Sequence, residues 1–131
     1  MIFNENFTYT DIINIIQNNP KATKTFRYFS TRSDTCFENH IYHFICEEDG
    51  EFVGYGHLDY EDKLWLGMFI SDSQIGKGYG RIVLNQLINK ANQDIHLSVD
   101  KENISAVNLY LKNGFKIYDQ TEKIYYCKLR K

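Results

Sequence analysis

The sequence predicts an α+β fold: a mixed, mostly antiparallel sheet flanked by helices, with one parallel β-α-β crossover. Three observations lead there. Two strand-like runs, Ile41 to Cys46 and Glu51 to Tyr60, are joined by Glu47-Glu48-Asp49-Gly50, and Asp-Gly is a strong hairpin signal. A third apolar run, Leu64 to Ile70, leads through a glycine-punctuated turn into an amphipathic helix. Beyond that helix Ile95, Leu97 and Val99 alternate with His96, Ser98 and Asp100, the period of a half-buried strand. A strand, helix and strand in that order form a right-handed parallel crossover, and this one begins at the glycine turn.

In chain order, Thr8-Tyr9-Thr10-Asp11 reads as a helix start, with Thr10 as cap and Asp11 in the first turn. Ile12, Ile13, Ile15 and Ile16 supply its buried face, and Asn18-Asn19-Pro20 ends it. A second helix or irregular segment covers Ala22 to Ser33 and carries Phe26, Arg27, Tyr28, Phe29 and Arg32. After the meander and the glycine turn, Val83, Leu84, Leu87, Ile88 and Ala91 keep one helix face apolar. A further helix runs from about Glu102 to Asn113 with Ile104, Val107 and Leu111 inward, closed by Gly114. Phe115 to Tyr118 and Ile124 to Leu129 read as a terminal hairpin.

At 131 residues, 43% hydrophobic and 24% charged, the chain has the balance of one globular domain spanning residues 1–131. Lys+Arg 15 against Asp+Glu 17 builds no large basic face, so nucleic acid is not an expected partner. No run approaches the ~20 apolar residues of a membrane helix, so no membrane association is expected. The N-terminus lacks a basic n-region, and Cys36, Cys46 and Cys127 are odd in number without paired spacing. Both features suit reduced thiols and a cytoplasmic location.

The stretch Ile75-Gly76-Lys77-Gly78-Tyr79-Gly80-Arg81 carries the chemistry. Alternate glycines leave main-chain amides uncovered by Cβ atoms and permit positive φ. At a helix N-terminus such amides suit a phosphate or pyrophosphate, although a plain strand–helix connection would use the same glycines. A phosphate-binding P-loop needs Ser or Thr after Gly-Lys, whereas Gly78 follows Gly76-Lys77. A dinucleotide fingerprint needs Gly where Arg81 stands, and the antiparallel meander upstream does not suit a doubly wound sheet.

The segment from Ile75 to Gly80 instead resembles the acyl-CoA loop, Gln/Arg-x-x-Gly-x-Gly/Ala, of the GNAT superfamily of acyl-CoA-dependent N-acetyltransferases. Asn103 to Phe115 resembles that family's second signature, N-x-x-A-x-x-L-Y-x-x-x-G-F. The first motif position is Ile75 rather than Gln or Arg, with Gln74 one place earlier. The resemblance implies acetyl-CoA as co-substrate, with the amides from Ile75 to Arg81 on the CoA pyrophosphate. The pantetheine arm would then pair with Met68, Phe69 and Ile70 as an added strand, in a gap where neighbouring strands splay apart. It also implies that Asn103 contacts pantetheine, for which the structural alternative is a helix cap on Ala106. Tyr110 matches the tyrosine that protonates the departing thiolate, with core packing as its alternative.

The amine must lose a proton before it attacks, because an alkylammonium is charged at pH 7. Strand alternation puts Tyr55, His57 and Asp59 on one face. His57 has the ordinary range of a base, and Asp59 would orient it or act through water. His40 and His43 form an H-x-x-H without a carboxylate or thiol partner, so no metal is expected. Arg27, Phe29 and Arg32 fall where the family's N-terminal helices wall the acceptor pocket, and the arginines suit an anionic amino sugar or sugar nucleotide. Trp65 suits stacking on a sugar ring. The expected activity is therefore acetyl transfer from acetyl-CoA to a primary amine of a small molecule, in a chain that pairs as a homodimer in many such folds. The alternative is a CoA-binding domain without catalysis.

Overall fold

In the computed structural model, which describes residues 1–131, Asp49 and Gly50 both take positive φ, 52° and 80°. That pair suits a tight two-residue hairpin turn. It joins β2 (His40–Glu48) to β3 (Glu51–Glu61) in antiparallel register. A second reversal at Asp62, φ 63°, delivers β4 (Lys63–Ile70) to the other edge of β3. The chain then crosses through α2 (Tyr79–Lys90) to β5 (Ile95–Asp100), which lies parallel to β4. After α3 (Ile104–Lys112), β6 (Lys116–Gln120) and β7 (Ile124–Leu129) form the terminal hairpin, and β7 pairs with β5. With β1 (Ile2–Asn4), the sheet order is β1-β2-β3-β4-β5-β7-β6. No helix is long and apolar enough to cross a membrane.

Two local features differ from the sequence expectation and one falls within it. β1 went unread because three residues are too few to display alternation, yet they pair with Ile45, Cys46 and Glu47. The segment from Ala22 to Ser33 takes the irregular of its two expected forms, with no α-helix. It is a series of turns with one 3₁₀ turn at Phe29–Thr31, because its aromatic rings are drawn into a tertiary cluster instead of one helical stripe. A second 3₁₀ turn covers Cys36–Asn39. In α3, Ile104 and Leu111 point outward, 67% and 41% exposed, while Tyr110 is buried and Ala106, Val107 and Leu109 pack on the core. Asn103 caps this helix, which therefore begins at Ile104, and of the three residues expected inward Val107 packs on the core.

The sheet separates two apolar clusters. Val83, Leu84 and Leu87 of α2 pack on the face carrying Phe44, Leu58 and Leu64. Gly56 lies beneath Leu87, where an added Cβ would come within 2.9 Å of Cδ1. On the other face α1 (Tyr9–Gln17) contributes Ile12 to a cluster with Phe29, Cys36, Ile45, Tyr55 and Phe69. The cap of α1 is Thr8, not Thr10: its hydroxyl accepts from Asp11 N at 3.0 Å while Asp11 accepts from Thr8 N at 2.9 Å. This reciprocal capping box satisfies amides that would otherwise have no partner. Thr8→Ala is expected to lower unfolding free energy by about 1 kcal/mol in chemical denaturation, with Thr8→Ser close to wild type.

Candidate active site

β4 and β5 pair at only two positions, Leu64 with Ile95 and Trp65 with His96. Beyond them β4 stays with β3 as far as Ile70, while β5 stays with β7 as far as Asp100. The strands therefore part, and the β4 edge from Leu66 onward has no strand partner on that side. A cleft of about 860 Å³ opens there, bounded by Leu66–Ile70, Ser98–Asp100, the glycine turn, Asn103 and Tyr110.

At one end of the cleft Gly76 and Gly78 take φ of 83° and 87°, with open space where a Cβ would stand, so the requirement is conformational. Gly80 is needed for close approach instead, since a Cβ would sit 3.2 Å from Leu109 Cδ2. Gly78 caps α2 without a side chain, and no acidic residue occupies the first turn. None of the main-chain amides from Ile75 to Arg81 finds an acceptor within the chain. Bare amides on a helix N-terminus form an anion cradle. Among the residues of this turn only the Lys77 side chain stays clear of the cleft. Ile75 is 53% exposed, and Gln74 lines the cleft beside it. Asp72 braces the turn from behind, accepting the amides of Lys21 and Ala22 at 3.1 and 2.6 Å.

Tyr110 lines the same cleft from α3, buried at 7% exposure and packed edge-on against Phe115. Burial pushes its hydroxyl above the ordinary tyrosine value, which keeps it protonated. Asn103 does both things the sequence left open: its side chain caps Ala106 N at 3.3 Å and it lines the cleft.

At the other end lie His57 and Asp59, each 1% exposed. Tyr55 Oη is 2.8 Å from His57 Nδ1. Asp59 Oδ1 is 3.5 Å from His57 Nε2, within ion-pair range but too long for a well-made hydrogen bond. Neither carboxylate oxygen has a hydrogen-bond partner. A buried carboxylate without a donor is costly unless a ligand supplies one. Burial holds His57 below its ordinary value against the opposing pull of Asp59, so the imidazole is neutral near pH 7. Gly67 faces His57 across the β3–β4 pair, where a Cβ would come within 2.5 Å of the ring. This glycine was not singled out from sequence, because the need for it arises only when the register sets it opposite His57.

Of the four residues expected on the acceptor side, Arg27, Arg32 and Trp65 line the cleft and Phe29 does not. Arg27 is held by Asp100 in a two-pronged pair at 2.8 and 2.7 Å. Arg32 lies over the Tyr28 ring at 4.0 Å and reaches Glu61 at 3.3 Å. Both arginines line the cleft, each already paired with a carboxylate. Phe29 is buried at 5% exposure among Tyr9, Phe26, Tyr28 and Tyr55 and does not line the cleft. Trp65 does line it, with Nε1 donating to the Glu61 carbonyl at 3.3 Å. Tyr28, unassigned from sequence, also forms part of the wall.

Three histidines, His40, His43 and His57, are each held below the ordinary value, chiefly by burial. The unfolded chain binds their protons near pH 6.5, whereas the folded chain resists them. Their contribution to stability is thus present above pH 6.5 and lost as pH falls toward the depressed folded values. The thermal midpoint is expected to decline from pH 7 to pH 5, and less steeply in His40→Gln.

Residues 8–115 match the sequence model of the Acetyltransferase (GNAT) family. Over 75 residues the chain is 28% identical to the peptidyl-lysine N-acetyltransferase YiaC of Escherichia coli (strain K12), covering 57% of this chain and half the length of that relative. Among solved structures, the ribosomal-protein-alanine N-acetyltransferase of Brucella melitensis superposes with a TM-score of 0.74 at 15% identity, over 100% of both chains. The PaiA N-acetyltransferase of Thermoplasma acidophilum, solved with coenzyme A, also gives 0.74 at 15% identity, over 99% of this chain and 98% of that one. These structural likenesses carry the fold, and the family match spans most of the sequence: the chain belongs to the GNAT family of acetyltransferases.

Proposed function

We propose that this protein transfers the acetyl group of acetyl-CoA to a primary amine by direct attack in a ternary complex. One observation carries the reading: a single cleft joins an uncapped amide cradle, a free strand edge and a buried carboxylate without a donor. The pyrophosphate sits on the amides from Ile75 to Arg81. The pantetheine arm lies along Met68, Phe69 and Ile70, with Asn103 across from it. Ile75 offers no polar contact, so the grip on the phosphates is mostly main-chain.

The acceptor enters from the Trp65 and Tyr28 side and places its ammonium on Asp59. The Asp59–His57 pair receives the proton as the amine becomes nucleophilic. The nitrogen then bonds to the thioester carbon, the carbon–sulfur bond breaks, Tyr110 gives its hydroxyl proton to the leaving thiolate, and the second proton shed by the nitrogen as it becomes an amide returns to the Tyr110 oxygen. A thiol lies nearer a phenol than a carboxylic acid in acidity, so the match is reasonable. The relatives' names cover protein lysine and ribosomal-protein alanine acceptors, which supports a primary amine. The unpartnered carboxylate and the matched arginines favour a small cationic amine over an anionic one.

Thiol release from acetyl-CoA with spermidine, an alanyl peptide amide and an Nα-acetyl-lysine amide tests the reading directly. CoA binding without thiol release on any amine would support the non-catalytic alternative. Tyr110→Phe is expected to lower turnover by roughly a hundredfold with acetyl-CoA binding unchanged in calorimetry. Gly67→Ala drives a methyl group into the His57 ring, so kcat is expected to fall while CoA affinity is retained. Wild-type kcat in Gly67→Ala would separate His57 from the chemistry.

A further inference from the structure

The proposed reaction leaves a proton in a place with no evident way out. Asp59 and His57 are both 1% exposed, at the end of the cleft that the proposed reading gives to the acceptor. A buried base that works repeatedly must pass its proton on. His40 and His43, which the reaction does not otherwise use, lie beside it: in the β2–β3 register His43 faces His57 and His40 faces Asp59.

These side chains are joined end to end. Tyr28 Oη is 2.9 Å from His40 Nε2, and His40 Nδ1 is 2.8 Å from His43 Nδ1. Two protonated nitrogens cannot face each other at that distance, so the contact between the imidazoles holds one proton. The groups around His40 are Tyr28, His43, His57 and Arg32; those around His43 are His40, His57 and Glu5. Burial, first of all, holds both rings below the ordinary histidine value, with Arg32 adding to it at His40 and Glu5 opposing it at His43. The inner end of the series is Tyr28, which lines the cleft and whose ring lies 4.2 Å from that of His57. The outer end is His43, half-buried against Phe7 and Phe37 at 4.3 and 4.6 Å, beside the exposed Glu5.

We propose that Tyr28, His40 and His43 form a proton conduit that carries the acceptor's ammonium proton from the cleft to solvent beside Glu5. It rests on the acetyltransferase reading. In the ready state Tyr28 O–H donates to His40 Nε2, His40 Nδ1–H donates to His43 Nδ1, and His43 keeps its proton on Nε2. From Tyr28 outward, each transfer is one proton along one hydrogen bond. The proton taken up by Asp59, which has no hydrogen bond of its own, crosses through a cleft water to the Tyr28 oxygen as Tyr28 gives its own to His40 Nε2. His40 gives its Nδ1 proton to His43, and His43 Nε2–H releases one to water. All three groups end neutral, and reorientation restores the starting tautomers. Tyr28, His40 and His43 touch neither acetyl group nor thiol, so they act through Asp59 and His57.

Two measurements decide it. Imidazole ¹⁵N shifts of the free protein at pH 7 are expected to show His40 protonated on Nδ1 and His43 on Nε2, both neutral. A charged ring at either position, or a proton on His40 Nε2 alone, overturns the conduit without any assay of activity. In the amine panel, His43→Phe is expected to lower kcat roughly tenfold or more with KM for acetyl-CoA unchanged, and added imidazole to restore turnover in His43→Ala. A purely structural His43 would give no rescue. Should these variants unfold at the assay temperature, Tyr28→Phe removes only the hydroxyl and is expected to show the same kcat loss. Wild-type kcat there overturns the proposal. Failure of the wild type on every amine counts against acetyl transfer itself, whereas an active wild type with unimpaired variants counts against the conduit alone.

Discussion

The rest of the architecture depends on the early parting of β4 and β5. Two paired residues at Leu64 and Trp65 align the strands in parallel, and thereafter each is claimed by its other neighbour. A continuous parallel ladder would satisfy more main-chain groups. Its interruption leaves a row of donors and acceptors on β4 without a strand partner, of the kind an extended ligand can pair with. The same divergence lets Tyr110 reach inward from α3 and leaves Asp59 at the bottom of an open space. Cofactor cradle, strand edge and carboxylate are thus consequences of one break in the sheet.

Around that break the chain concentrates groups that fold stability alone would not favour. Gly78 opens α2 with no side-chain cap, and Asp59 is buried with no donor. Tyr55, His57, His40, His43 and Tyr28 make one connected polar and aromatic layer inside what is otherwise an apolar cluster. Polar layers of this kind are stable when every member is satisfied. Here every histidine of the layer finds a partner, and the Asp59 carboxylate does not.

Much of this was legible in the sequence, and the reasons differ by element. The crossover and its glycine turn were readable because period-2 and helical patterns abut there, and because Gly76, Gly78 and Gly80 sit where side chains are excluded. His57 and Asp59 were readable from strand alternation alone. The role of Gly67 was not, since its constraint arises from a cross-strand contact fixed by register. The pairing of Arg27 was hidden for the same reason: Arg27 and Asp100 are far apart in the chain, and nothing local reveals that their charges meet. The segment from Ala22 to Ser33 lacks a helical apolar period, so only tertiary packing decides its course.

The most direct measurement is a titration of the ¹⁵N-labelled protein with CoA, followed at the backbone amides. The account expects large shifts at the amides from Ile75 to Arg81, with slowed exchange along Met68, Phe69 and Ile70. Binding without those changes, or no binding at millimolar CoA, would contradict it.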